Sequence, residues 1–202
     1  MNADERRFVN FMIIALTGTP GTGKTTVCGI IKEHSQYGER FHILDLNKLV
    51  LDEKIYTGKD EARDTYIADM DKLDERVKQI ISQLPQGMDV IMEGHFAHLL
   101  PADAIIVLRA HPVALRKRLG KRMEYSFKKV KENANAEALD VILVESVQQC
   151  DKVFEINTTD MNPLAVVKSV VSIIESKKLG KTPEEFLPGK INWIEHVEIS
   201  TI

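Results

Sequence analysis

The sequence predicts an α/β fold in which a five-stranded parallel sheet lies between two layers of helices. Three observations carry that expectation. Short apolar runs alternate with helical patterns along the chain, as βαβ units require. The first apolar run, residues 12–16, feeds a glycine-rich turn that opens onto a helix-compatible stretch. The chain has 202 residues, enough for one well-buried core with small inserted segments but hardly for a second full domain.

In chain order, residues 1–11 read as a polar N-terminal extension and residues 12–177 as the folded domain. Strands are expected near 12–16, 41–44, 89–92, 104–108 and 153–156, each a short apolar run bounded by turn residues. Helices are expected at about 24–36, 112–119 and 163–177, and a single helix at 132–149 leads into the last strand. Right-handed crossovers then cover both faces of the sheet. Two segments exceed what a crossover needs. Residues 46–87 form an insertion of roughly forty residues, with a polar loop at 57–64 and helical periodicity over 67–84. It is either an ordinary helical insertion with a charged outer face or a substrate-binding lobe, and the lobe is favoured because sites gather in such insertions over α/β sheets. Residues 120–131 carry Lys121, Arg122, Lys128, Lys129 and Lys131 and read as a short flap. The tail, 178–202, holds the only tryptophan, Trp193; it is either clamped on the domain by Phe186, Leu187 and Trp193 or offered to a partner. No internal repeat or low-complexity tract is present.

Gly18, Gly23, Lys24 and Thr25 satisfy G-x-x-x-x-G-K-[ST] between an apolar strand and a helix. Glycines let consecutive backbone N–H groups converge on an anion at a helix N-terminus. The fold expectation narrows to a P-loop NTPase. Gly21, Thr22, Gly23, Lys24, Thr25 and Thr26 are the candidate ATP phosphate contacts; Lys24 can hold the β/γ-phosphates and the Thr25 hydroxyl can ligate Mg²⁺. Val90-Ile91-Met92-Glu93-Gly94-His95 is an apolar strand that ends in a carboxylate and then an imidazole. Glu93 can hold a metal-bound water, and His95 can orient an attacking water or hydroxyl, unless it is merely a loop histidine satisfied by backbone. His98 reads as structural. Arg118 and Arg122, four apart on one helix face, are candidates for the charge that builds on transferred phosphoryl oxygens. Arg109 ends a strand at the same rim, while Arg116, Lys117 and Lys121 read as a solvated face.

The formal charge of −3 and pI near 6.1 give no global case for a nucleic-acid or membrane partner. No run approaches the roughly 20 apolar residues that span a bilayer. Cys28 and Cys150 lack zinc-ligand spacing and read as two buried reduced thiols, which fits a cytoplasmic protein.

With the loop Gly-Thr-Pro-Gly-Thr-Gly-Lys-Thr-Thr, the long insertion, Glu93-Gly94-His95 and the Arg122 flap, the chain resembles the adenylate kinase isoenzyme 6 family, whose eukaryotic members are known as coilin-interacting nuclear ATPase protein. Further matching stretches are Asp45-Leu46, Asp60-Glu61-Ala62-Arg63-Asp64, Val107-Leu108-Arg109, Glu132-Asn133 and Thr158-Thr159. The resemblance implies a sheet of order 2-3-1-4-5, an NMP-binding segment, a short lid and phosphoryl transfer from ATP to AMP with Mg²⁺. It also implies ATP hydrolysis and a part in small ribosomal subunit maturation through a ribosomal protein. Gly21, Gly23, Lys24, Thr25 and Thr26 would bind ATP phosphates, Arg122 would lie over the nucleotide, and Glu93 with His95 would stand in the Walker-B-like place. Lys48 matches an NMP-contacting arginine of some members but lacks its bidentate fork; with Arg63 and Arg118 it completes the cations expected at the NMP. Glu93 replaces an aspartate of eukaryotic members, and the lid reads Arg122-Met123-Glu124-Tyr125 where arginine, glycine and an aromatic are common.

The leading expectation is a monomeric ATP:AMP phosphotransferase with some ATPase activity. The alternative is a nucleotide-switched ribosome assembly factor whose main activity is ATP hydrolysis. A GTPase is disfavoured, because Asn47-Lys48-Leu49-Val50 lacks the guanine-reading aspartate. Another small acceptor stays open, since the phosphate loop fixes only the donor.

Overall fold

A computed structural model of the chain describes residues 11–34, 36–61, 65–123 and 125–197. In chain order its elements are β1 (Ile13–Thr17), α1 (Lys24–Glu33), β2 (Phe41–Asp45), α2 (Leu46–Asp52), β3 (Tyr56–Asp60), β4 (Thr65–Ala68), α3 (Met70–Ser82), β5 (Asp89–Glu93), β6 (Ala104–Arg109), α4 (Pro112–Leu119), α5 (Phe127–Ala138), α6 (Val141–Gln149), β7 (Val153–Asn157) and α7 (Pro163–Lys178). Five of the strands pair in parallel in the spatial order β2-β5-β1-β6-β7. Counted along the sheet alone this is 2-3-1-4-5, the order implied by the family resemblance.

Every residue of β1, β5 and β6 is buried, as central parallel strands covered on both faces must be. Their side chains alternate between two cores. Ile14, Leu16, Ile106 and Leu108 join Ile31 of α1 and Val167, Val170 and Ile174 of α7 on one face. Ile13, Ala15, Ile105 and Val107 join Leu46, Leu73 and Leu143 on the other. Local chemistry sets the helix starts. Asp45, Asp69 and Ser126 accept from the backbone N–H of Lys48, Lys72 and Lys129, and Pro112 and Pro163 stand at helix starts, where their missing N–H is harmless.

Several expectations change. Residues 57–60 of the expected polar loop belong instead to β3, which pairs antiparallel with β4 and brings Tyr56 and Tyr66 into ring contact at 4.4 Å, while residues 62–64 lie outside the described residues. The helix expected from 67 therefore starts only at Met70. The single helix at 132–149 is two, broken where Asp140 adopts a left-handed backbone with φ 56°. Neither glycine nor proline marks the break; the Asp140 carboxylate reaches Arg109 and holds the turn. The flap at 120–131 shrinks, because α5 already begins at Phe127. Phe11, assigned to the N-terminal extension, packs on the second core. Cys28 and Cys150 are both free, but only Cys28 is buried. Phe186 and Leu187 pack on the first core and Trp193 is buried, so the tail as described, up to residue 197, lies against the domain. Among the described residues no helix is long and apolar enough to cross a membrane.

Candidate functional site

The phosphate loop leaves the C-terminal end of β1, at the middle of the sheet. Two glycines make its path feasible. Gly18 has φ +134°, and a Cβ there would lie 2.2 Å from the Leu108 carbonyl oxygen, so no other residue fits. Gly23, with φ +105°, stands just before α1 and turns the backbone into the helix.

Lys24 is buried, and its Nζ donates to the carbonyls of Gly18 at 2.7 Å and Thr19 at 3.2 Å. Burial pulls its pKa down to about 8; Glu93 and Glu137 oppose that pull, and Arg122 adds to it. Thr25 Oγ1 donates to Glu93 Oε1 at 2.9 Å. The parallel pairing of β1 with β5 brings these two residues together, setting Leu16 beside Glu93. Burial raises the Glu93 pKa, and the bond from Thr25 works against it.

His95 follows the strand end, its carbonyl held by Thr17 Oγ1 at 3.2 Å. Its ring faces the cleft, yet the cleft walls desolvate it, and Lys24, His98 and Lys129 add positive charge nearby. Its pKa falls to about 4, so it is neutral at pH 7. His98 is structural, as expected: buried, with its ring nitrogens 3.1 Å from Thr17 Oγ1 and 3.0 Å from Glu145 Oε2.

Three adjoining cavities surround these groups. The central one, about 650 Å³, is lined by Gly21, Gly23, Lys24, Thr25, Thr26, Glu93, His95 and Arg122. A second, about 380 Å³, lies under the insertion between Val50, Tyr66, Met70 and Phe96, and shares Asn47, Thr65 and His95 with the first. A third, about 290 Å³, shares Gly21, Gly23, Thr26 and Arg122 with the first and continues to Met161, Pro163 and Val166. The cleft thus runs from a slot where Arg118 and Arg122 face Met161, Pro163 and Val166, across the phosphate loop, to a pocket with aromatic walls.

The predicted residues divide accordingly. Lys24, Thr25, Glu93, His95 and Arg122 meet in the central cavity, Arg122 standing exposed between it and the third. Thr22 lines the third cavity, its N–H and hydroxyl both donating to the Thr19 carbonyl at 3.2 and 2.9 Å. Arg118 does not reach the pocket under the insertion. It lines the third cavity beside Arg122, and its guanidinium donates to the carbonyls of Gly21, Thr158 and Thr159. Lys48 is exposed in the first turn of α2, where its neighbour Asn47 lines the cleft. Arg63 lies outside the described residues. Arg109 is buried in a cluster with Glu137 at 2.7 Å, Glu155 at 3.1 Å and Asp140, so its rim position serves structure.

Sequence reasoning missed Thr19 and Glu137. Thr19 Oγ1 donates to Glu137 Oε2, tying the phosphate loop to α5. It also missed Asn47, Tyr66, Met70 and Phe96 as cleft walls, since the β3–β4 pair that presents Tyr66 had no alternation to reveal it.

A family model described as an AAA domain matches residues 14–140. An archaeal protein named "Putative adenylate kinase" from Methanosarcina acetivorans is 44% identical over 191 residues, covering 92% of this chain and 100% of the relative. Another of that name, from Methanocaldococcus jannaschii, is 39% identical, covering 91% of this chain and 94% of its own length. The chain belongs to the adenylate kinase isoenzyme 6 family. Among solved structures, a shikimate kinase from Acinetobacter baumannii superposes with a TM-score of 0.57 at 16% identity, covering 86% of this chain and 98% of its own. At that identity the likeness speaks for the fold, which is the P-loop kinase fold.

Proposed function

We propose that this family member transfers the γ-phosphoryl group of ATP to AMP, giving two ADP. One observation carries the reading: the cavity over the phosphate loop and the cavity under the insertion adjoin and share Asn47, Thr65 and His95. A nucleotide in each would bring the terminal phosphate of one against the phosphate of the other at His95. The third cavity takes the donor base between the loop and Met161 and Pro163, and the aromatic walls of the second suit the acceptor base. Relatives named "Putative adenylate kinase" support the same assignment.

Phosphoryl transfer asks the protein for position and electrostatics more than for covalent chemistry. Lys24 supplies a buried cation that releases the Gly18 and Thr19 carbonyls and turns to the phosphates. Arg122, with its planar fork, covers the nucleotide from the lid. His95, neutral at pH 7, accepts a hydrogen bond from the attacking oxygen or donates one to it. The oxygens of Thr25 and Glu93, 2.9 Å apart at the cavity wall, are hard donors suited to Mg²⁺, Glu93 acting through a water. Bound there, Mg²⁺ would neutralise phosphate charge.

Without an acceptor, a water held by His95 takes the same place and gives slower ATP hydrolysis. The part in small-subunit maturation implied by the family belongs to the same proposal; a ribosomal protein retained by the chain in an ATP-dependent manner supports it. Turnover with ATP and a panel of nucleoside monophosphates, beside a control without acceptor, tests the central reading. ADP formation fastest with AMP is expected, and ADP formation indifferent to every acceptor contradicts it.

A further inference from the structure

Trp193 is not among the residues that line the three cavities, yet an unbroken series of contacts joins it to the phosphate loop. The tail returns along β7, and the Lys190 N–H donates to Glu155 Oε1 at 2.9 Å. Trp193 follows, buried, with its ring centroid 5.2 Å from the Arg109 guanidinium carbon. Arg109 in turn donates to Glu155 Oε2 at 3.1 Å and to Glu137 Oε1 at 2.7 Å. The other Glu137 oxygen accepts from Thr19 Oγ1. Finally, the Thr19 carbonyl accepts from Lys24 Nζ at 3.2 Å and from the Thr22 hydroxyl at 2.9 Å.

We propose that the C-terminal segment is a positioning element of the nucleotide site: Trp193 covers Arg109, Arg109 fixes Glu137, and Glu137 holds Thr19 so that the loop keeps the shape that receives a triphosphate. The physical basis is water exclusion. Charge-assisted bonds are strong where water cannot compete, and an indole face over a guanidinium both excludes water and attracts the cation. With the ring removed, water reaches Arg109, Glu137 gains freedom, and the Thr19 hydroxyl loses its fixed acceptor. None of Trp193, Arg109 and Glu137 lines the central cavity, so their action on nucleotide is indirect. The inference concerns ATP binding and stands apart from the identity of the acceptor.

ATP affinity measured by calorimetry on the full chain with Mg²⁺ tests it. Trp193→Ala and Thr19→Val are each expected to weaken ATP binding about tenfold, within the range of couplings carried through packed networks. Their double variant is expected to bind no more weakly than the poorer single variant, because both act on one series of contacts. Trp193→Phe, which keeps an aromatic cover, is expected to stay within about threefold of wild type. Affinity of Trp193→Ala within twofold of wild type overturns the proposal, and so do losses that multiply in the double variant. A measurement on the unaltered tail guards against a misfolded variant. Trp193 is the only tryptophan, so its emission should change saturably with ATP at the calorimetric affinity, and Thr19→Val should still bind ATP without that change. Constant wild-type emission at saturating ATP overturns the proposal. Failure of AMP to accept phosphate would contradict the kinase reading and leave these outcomes intact.

Discussion

Thr25 Oγ1 and Glu93 Oε1 lie 2.9 Å apart, joining the first turn of α1 to the end of β5. Glu93 is buried, and this hydroxyl and the nearby Lys24 and Lys32 charges favour its ionised form against that burial. Glu93→Gln keeps the shape and removes the charge. It should lower kcat by about 10²- to 10³-fold, the scale of one preorganised electrostatic group, and raise the Mg²⁺ concentration needed for half-maximal rate. Steady-state kinetics across a Mg²⁺ series checks both; an unchanged Mg²⁺ requirement removes Glu93 from the metal site.

Lys24 ties activity and stability to pH in opposite directions. Its pKa of about 8 in the free protein means that kcat/KM for ATP should fall as pH rises through 8, where the loop loses its cation. For stability the sign reverses. The unfolded chain holds this proton up to about 10.5, more tightly than the folded one, so Lys24 costs stability below pH 8 and the cost is relieved between 8 and 10.5. Lys24→Met should therefore abolish turnover while stabilising the nucleotide-free protein by about 1–3 kcal/mol at pH 7, at roughly 1.4 kcal/mol per pKa unit. Thermal melts beside turnover assays decide.

His95 should give no acid limb near 6.5. Cleft walls and the Lys24 charge hold its pKa at about 4, so the imidazole stays neutral through the range in which an ordinary histidine titrates. His95→Ala should lower kcat by about 10²- to 10⁴-fold with ATP affinity within a few-fold of wild type. A wild-type limb at 6.5 that disappears in His95→Ala would show an ordinary, solvated ring.

Met70 walls the pocket under the insertion and is absent from the lining of the central cavity. Met70→Trp should fill part of that 380 Å³ and raise the KM for AMP about tenfold or more, while ATP hydrolysis without acceptor continues. Parallel kinetics in ATP and AMP check the split.

Arg109→Met should unfold the protein before it impairs a contact to nucleotide. The substitution leaves Glu137 and Glu155 buried without their cation, a loss of about 3–5 kcal/mol. Chemical denaturation measures it.

The sheet was legible because its strands are short apolar runs that must be buried on both faces, and the phosphate loop because Gly18 and Gly23 meet backbone demands that few residues meet. Glu93 and His95 were legible for a related reason: a carboxylate at the end of an apolar strand marks the sheet rim where ligands bind. The β3–β4 pair was hidden because Thr57, Lys59 and Asp60 are polar throughout, and Tyr56 and Tyr66, whose rings meet across it, are not neighbours in sequence. Asp140 hid the helix break, since an aspartate carries no breaker signal and its carboxylate meets Arg109, distant in sequence. Arg109 misled because an arginine near the rim has the same sequence signature whether it meets a phosphate or a buried carboxylate. Its partners, Glu137 and Glu155, lie far away in sequence, and pairing across such a distance leaves no local mark.

The central claim, a two-nucleotide site, is tested most directly by incubating purified full-length protein with ATP, AMP and Mg²⁺ and following ADP. Two ADP formed per ATP consumed, at a rate well above that with ATP alone, is the predicted result. One ADP per ATP, with AMP neither consumed nor accelerating the reaction, would contradict it.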